Sequence, residues 1–326
     1  MAPKIILLIG FQASTKSSFA DHILQSVEHI VVLSKDEQKN KTSEYLVERA
    51  EEHLLQGKTV IIDNTNLTIA SRKPYIDLAK RLNVPIVGRY FKTSLEDCQI
   101  RHLKRMYDLF GYIPQLGKLI DGKKHSHAFG PGALFAARKS LQEPKKEEGF
   151  KMVIIDPVGP VSWDPLVYNK KALFLDMDGT VRATEHLLHK YPTEIAEVQL
   201  IHPCDVMRGT LESYREKGYQ LIGVSNQSGI SRGILTQEKA DAIFEQTRSL
   251  LGYSEKEFPI MYCPHPSSPP VCFCRKPQVG MAMEAIMKLG LDPRQCIMVG
   301  DYKTDESMAE RLQMTYYDVK DFWKVA

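Results

Sequence analysis

Asp176 and Asp178 stand two apart in the run Asp176-Met177-Asp178-Gly179-Thr180, directly after a continuous apolar stretch. Carboxylates at i and i+2 of an extended segment point to one side, so both reach one cation or one phosphate. A carboxylate nucleophile attacking an electron-rich phosphorus needs a divalent cation to neutralise charge and a second acid to protonate the leaving group. Asp176 and Asp178 suit those two roles.

Three further polar groups follow at the ends of apolar runs: Ser225-Asn226, Lys276 before Pro277, and Gly300-Asp301 with Asp305. Between them, Cys263, His265, Cys272 and Cys274 place three thiols and one imidazole within 12 residues. That donor set suits tetrahedral zinc, and four protein ligands leave no open position, so the site is expected to be structural. It abuts Arg275-Lys276 and would brace the segment carrying that lysine.

At the other end of the chain, Gly10-Phe11-Gln12-Ala13-Ser14-Thr15-Lys16-Ser17 lies between a strand pattern and a helix pattern, where a phosphate-binding loop belongs. Lys16 is placed to reach β- and γ-phosphate oxygens of ATP and Ser17 to ligate Mg²⁺. Thr15 occupies a position usually held by glycine, where a β-branched side chain restricts the close wrapping of backbone amides around phosphate.

The elements that must position these residues read as strands alternating with helices. Apolar runs at Lys4–Ile9, Thr59–Ile62 and Val84–Phe91, with amphipathic stretches from Ser17 and over Ala70–Leu82, predict a parallel α/β sheet. From Lys171 the alternation restarts through ALFLDMDGT, YQLIGVSNQ, FPIMYC and CIMVGD, and predicts a second parallel sheet whose carboxyl edge carries the chemistry. The fold class expected is thus α/β with two such domains, residues 1–160 and 168–326. The pattern dissolves between Gly111 and Gly149, which reads as a lid-type segment containing His125 and His127, and PVGPVSWDP reads as the linker.

The 326 residues, 43% apolar and 25% charged, fit a globular chain with room for two cores. No apolar run approaches the roughly 20 residues that span a bilayer, so no membrane is expected and the cytosol or nucleus is the expected location. Residues 1–160 carry 24 Lys/Arg against 18 Asp/Glu, which makes that half the better partner for phosphate-rich ligands.

The ordered set Asp176-Met177-Asp178, Ser225, Lys276 and Gly300-Asp301 resembles the haloacid dehalogenase superfamily over about residues 170–326. The resemblance implies Asp176 as nucleophile, Asp178 as general acid and base, and Ser225, Asn226 and Lys276 as phosphate ligands. Asp301, supported by Asp305, would hold Mg²⁺ with Asp176 and Asp178. Asp176 to Ser225 is 49 residues and Ser225 to Lys276 is 51, which leaves little room for a large cap and an opening suited to bulky or polymeric phosphoesters. The block Ser225-Asn226-Gln227-Ser228-Gly229-Ile230 with Arg232-Gly233 narrows the resemblance to histidinol-phosphate, heptose-bisphosphate and DNA 3′-phosphatases, and the cysteine loop looks like that of the small-molecule members.

In the N-terminal half, the order GFQASTKSSF, SKDE, GKTVIIDNTN, SRKPY, RHLKR resembles the 5′-kinase domain of polynucleotide kinase-phosphatases over about residues 1–156. That resemblance implies Asp36 as general base on a 5′-hydroxyl, Lys16 and Ser17 as ATP and Mg²⁺ contacts, Arg101 and Arg105 as residues neutralising the transferring phosphoryl, and Asp63 and Arg72 near metal and acceptor. The function expected is end healing of nucleic acid, kinase first and 3′-phosphatase second. Two alternatives stay open: a small-molecule phosphatase of the histidinol or heptose type, and a nucleotide-sensing N-terminal half without turnover.

Overall fold

The structure, a computed structural model, describes residues 2–35, 42–114, 129–269 and 272–325. Two compact units divide between Val161 and Ser162, with the part of one helix from Leu103 counted with the second.

The first unit runs β1 (Ile5–Ile9), α1 (Lys16–Ser26), β2 (Ile30–Leu33), α2 (Ser43–Leu55), β3 (Thr59–Ile62), α3 (Ile69–Arg81), β4 (Ile86–Lys92), α4 (Leu95–Phe110), α5 (Pro131–Ser140) and β5 (Met152–Pro157). Its five strands form one parallel sheet in the order β2-β3-β1-β4-β5. All five residues of β1 are buried, as expected for a central parallel strand covered on both faces. Ile5, Leu7 and Ile9 pack on one face with Leu46, Ala50 and Tyr75, and Ile6 and Leu8 on the other with Ala20 and Phe91. Helix α3 starts where Thr68 and Ser71 cap each other's backbone N–H groups.

The second unit runs β6 (Lys171–Asp176), α6 (Cys204–Glu216), β7 (Tyr219–Asn226), α7 (Ser228–Ser231), α8 (Gln237–Leu251), β8 (Ile260–Cys263), α9 (Gly280–Leu289), β9 (Ile297–Gly300), α10 (Lys303–Leu312), β10 (Thr315–Asp318) and α11 (Val319–Phe322). Its parallel sheet has the order β10-β9-β6-β7-β8. Leu173 and Leu175 anchor the core with Met207, Leu211, Ile243 and Phe244. The chain entering β6 is stitched to the turn after α9: Asn169 and Lys170 donate N–H bonds to the Gly290 carbonyl at 3.0 and 3.1 Å, and Asp292 N–H returns one to Lys170 at 2.8 Å.

Three expectations about elements need correction. The stretch 111–149 is not patternless, because α5 lies inside it with Leu134 and Ala137 buried; Pro131 at its first turn is a helix start, not a break. Residues 115–128 of that stretch, with His125 and His127, lie outside the described residues. The linker reading began too early, since β5 extends to Pro157 in register with Lys92, and Trp163 and Tyr168 pack edge to face with centroids 5.0 Å apart. The second sheet also gains a fifth strand, β10, at its rim. Among the described residues no helix is long and apolar enough to cross a membrane.

Candidate functional site

Four neighbouring strands of the second sheet deliver their carboxyl ends to one edge. Strand β6 ends on Asp176, β7 on Ser225 and Asn226, β8 on Cys263 and β9 on Gly300, with Asp301 following. Register ties them: Asp176 lies opposite Val224, Leu175 opposite Val299, and Asn226 opposite Cys263. Side chains at such an edge converge without any helix having to bend toward them.

Asp176, Asp301 and Asp305 present carboxylate oxygens within 4.8 Å of one another. Lys276 reaches into this cluster from the β8–α9 loop. Its Nζ donates to Asp176 Oδ1 and to the Val224 carbonyl at 3.0 Å, and pairs with Asp305 Oδ1 at 2.7 Å. Burial alone would lower the Lys276 pKa, but Asp176 and Asp305 outweigh it and hold the ammonium charged. Burial, then the Asp176 charge, pushes Asp301 up to about 7, and the same two causes raise Asp305. Three carboxylates crowded together are a fit for a divalent cation, which would offset both burial and mutual repulsion. Asp301 lies over Gly179, where a Cβ would stand 2.2 Å from Asp301 Oδ2 and the backbone has φ +90°, so only glycine admits that approach.

Asp178, expected among the metal ligands, does not join this cluster. Its Oδ1 pairs with Arg182 at 2.7 Å, and its Oδ2 accepts from Gln227 Nε2 at 2.7 Å and from Ser225 Oγ at 3.5 Å. Burial raises its pKa, with the Asp176 charge adding to the rise and Arg182 opposing it. Asn226, expected on phosphate, instead exchanges bonds with the Lys276 backbone: its Nδ2 donates to Lys276 O at 3.1 Å and its Oδ1 accepts from Lys276 N at 2.9 Å. The amide therefore fixes the lysine's loop.

Beside that loop, Cys263, His265, Cys272 and Cys274 bring their donor atoms within 4.8 Å of one another. Cys263 Sγ lies 3.4 Å from His265 Nδ1, 3.6 Å from Cys272 Sγ and 3.2 Å from Cys274 Sγ. These approach the edges of a tetrahedron of ligands at about 2.0–2.3 Å from a zinc ion. Hydrogen bonds shared among the three sulfurs couple their protons, lowering the Cys272 pKa and raising those of Cys263 and Cys274. The donor chemistry and spacing of the cluster fit zinc.

In the first unit, Gly10 begins the phosphate-type loop with φ +149°, and a Cβ there would lie 3.0 Å from the Phe91 carbonyl. Lys16 is buried and donates to Gly10 O at 3.0 Å, Phe11 O at 2.5 Å and Ser14 Oγ at 3.2 Å, folded over the loop it would leave for phosphate. Ser17 is exposed on the first turn of α1. Thr15 adopts φ +69°, ψ 9°, so the glycine usual there is missed for its backbone freedom as well as its size. The segment after β3 braces this loop: Thr65 O accepts from Gly10 N at 3.0 Å, and Asn66 Nδ2 donates to Leu8 O at 2.7 Å. Asn66 closes the Asp63-Asn64-Thr65-Asn66 run in the left-handed region, φ +46°, which Asn tolerates better than most residues.

Asp63 sits half-buried at the end of β3. Arg101 donates to Thr93 Oγ1 at 3.2 Å and to the Gly159 carbonyl, and Arg105 follows one turn later on α4. Arg101 and Lys16 both act electrostatically on Cys98, whose thiol burial pushes up to about 12. Arg72 is a correction. It is fully buried, pairs through Nε and Nη2 with Glu148 at 2.8 Å each, and donates from Nη1 to the Asn66 and Gln142 carbonyls. It staples the fold and is not open to an acceptor. Asp36 lies outside the described residues.

Residues 171–322 match the family described as Polynucleotide kinase 3 phosphatase, and residues 5–110 match a family described as AAA domain. The D-glycero-β-D-manno-heptose-1,7-bisphosphate 7-phosphatase of Haemophilus ducreyi is 36% identical over 152 residues, 43% of this chain and 78% of that protein. Its counterpart in Haemophilus influenzae is 37% identical over 141 residues, 41% of this chain and 73% of that one. Among solved structures, the Pnkp1/Rnl/Hen1 RNA repair complex aligns with 97% of this chain and 96% of its own at 17% identity and a TM-score of 0.34. With a kinase-like domain ahead of it, the second unit places this chain in the haloacid dehalogenase phosphatase family that holds the heptose-bisphosphate and polynucleotide kinase 3 phosphatases.

Proposed function

We propose that the chain heals nucleic-acid ends, with an ATP-dependent 5′-hydroxyl kinase in residues 1–160 and a Mg²⁺-dependent 3′-phosphatase in residues 168–326. The observation that carries the reading is the pairing, on one chain, of a phosphate-type loop closed by Lys16 with the Asp176, Asp301, Asp305 and Lys276 cluster.

In the phosphatase, Asp176 attacks phosphorus and Lys276 neutralises the phosphoryl oxygens. Ser225, at the same sheet edge, donates to the phosphoryl group. Asp178 gives its proton to the departing oxygen and later takes one from the water that releases phosphate. Mg²⁺ held by Asp176, Asp301 and Asp305 would supply charge neutralisation at the phosphoryl group. Zinc held by Cys263, His265, Cys272 and Cys274 would brace the loop bearing Lys276. In the kinase, Lys16, Ser17, Arg101 and Arg105 contact the nucleotide's phosphates, with Asp36 as base and Asp63 beside the acceptor.

A second reading, a phosphatase of small phosphorylated metabolites with a nucleotide-binding partner domain, draws on the heptose-bisphosphate relatives and the cysteine loop. One assay separates them. Purified protein with ATP and Mg²⁺ should label a 5′-OH oligonucleotide and release phosphate from a 3′-phosphate oligonucleotide. Turnover of histidinol phosphate or heptose bisphosphate alone, with no oligonucleotide chemistry, sinks the end-healing reading.

A further inference from the structure

We infer that Arg182 is a positioning residue for the acid–base carboxylate Asp178, an inference that rests on the phospho-Asp176 reading above. Arg182 has no exposed surface, and its one ion pair among the described residues is with Asp178, at 2.7 Å. Its guanidinium carbon lies 4.7 Å from the centroid of the Phe244 ring on α8. Nε, Nη1 and Nη2 make no hydrogen bond among the described residues, and neither does Asp178 Oδ1, so the 2.7 Å approach is an ion pair without hydrogen-bond geometry. A buried guanidinium with unmet donors costs free energy, and a staple such as Arg72 meets carboxylate and carbonyl acceptors together. Arg182 is therefore poorly explained by packing and well explained by the carboxylate it faces.

The backbone fixes that geometry. Arg182 N donates to Met177 O at 2.8 Å and Gly179 N to Arg182 O at 2.9 Å, which folds Arg182 back beside Asp178. Arg182 also bridges Leu200, and Trp323 Nε1 holds the turn through Thr180 O at 3.0 Å. Gln227 grips the other Asp178 oxygen. The carboxyl group thus lies between a hydrogen-bond donor, Gln227, and a permanent cation, Arg182.

The consequence falls on one step. As Asp176 Oδ bonds to phosphorus, the ester P–O bond breaks and its electron pair stays on the ester oxygen, which takes the Asp178 proton. Asp178 is left as a carboxylate, and the attraction of the Arg182 cation 2.7 Å away strengthens as that charge develops. Such stabilisation exists in the transition state and hardly in the ground state, so it acts on rate. It matters only where the leaving oxygen needs a proton.

The test compares two esters: a nucleoside 3′-phosphate, whose alkoxide must be protonated, and p-nitrophenyl phosphate, whose phenolate leaves unaided. kcat/KM is measured because it reports the transfer to Asp176. Arg182→Met should lower kcat/KM for the nucleoside ester by about 10²-fold, within the range general acid catalysis supplies, and for the aryl ester by less than about tenfold. Arg182→Lys should regain part of the loss on the nucleoside ester alone. Equal falls on both esters, or no fall, overturn the inference while wild-type turnover leaves the phosphatase reading standing. Wild-type protein that hydrolyses neither ester overturns both. Should Arg182→Met fail to fold by thermal melting, the same comparison on Arg182→Lys decides.

Discussion

Gly179 and Asp301 approach so closely that the glycine's missing side chain is part of the carboxylate's seat: a Cβ would stand 2.2 Å from Asp301 Oδ2. The glycine of the Asp178-Gly179-Thr180 step therefore serves a residue more than 120 positions downstream. Its φ of +90° adds a second reason, since few side chains tolerate that backbone.

Gly179→Ala should displace Asp301 and lower kcat/KM by about 10²-fold, the loss expected from roughly 1 Å of misplacement. Raising Mg²⁺ should recover some of it. Phosphate release measured across a Mg²⁺ titration checks this, and wild-type kinetics at ordinary Mg²⁺ would rule the arrangement out.

Asp176→Asn should abolish phosphate release and leave nucleotide binding to the first unit unchanged, since the two sites share no residue. A fluorescent ATP analogue reports the binding. Persisting phosphatase activity would refute the phospho-aspartate mechanism.

Cys274→Ser should remove one zinc ligand and, through the adjacent Arg275-Lys276 segment, reduce phosphatase activity by about 10- to 100-fold. Zinc content by elemental analysis and activity should fall together. Full activity in zinc-free protein would show that the cluster does not brace Lys276.

Thr15→Gly should relieve left-handed strain and raise stability by about 1 kcal/mol, with tighter ATP binding. Thermal melting and an ATP titration measure the two effects. A lower melting temperature with unchanged affinity would contradict the strain argument.

In metal-free protein, Asp301 binds its proton up to about pH 7, above its unfolded range. The folded state then holds more protons than the unfolded state across that window, so stability falls as pH rises through it. Added Mg²⁺ should flatten the trend. Melting temperatures from about pH 5 to 8, with chelator and with Mg²⁺, test the sign, and a rise with pH in chelator would reverse it.

Much of this architecture is legible in the sequence because parallel strands buried on both faces read as unbroken apolar runs, as Ile5–Ile9 and Lys171–Asp176 do. Polar clusters at the ends of such runs could be assigned to a sheet edge on that ground alone. Less local facts escaped. Arg72 looked free until Glu148, 76 residues away, closed on it. Asn226 looked like a phosphate contact until the Lys276 backbone occupied its amide. Arg182 carried no motif and became visible only when the turn from Met177 brought it beside Asp178. Strand β10 was missed because Thr315–Asp318 is short and half-exposed, without an apolar run.

The stitch between Asn169-Lys170 and the Gly290–Asp292 turn sets where the phosphatase half can be cut free. A fragment beginning at Lys171 would keep every motif yet leave the Gly290 carbonyl without either N–H and Asp292 without its acceptor, fraying the strand that ends on Asp176. One beginning at Ser162 keeps the stitch and the Trp163–Tyr168 contact as well. The useful boundary for excising this half is therefore drawn by backbone hydrogen bonds at the far edge of the sheet, well before the first residue that does chemistry.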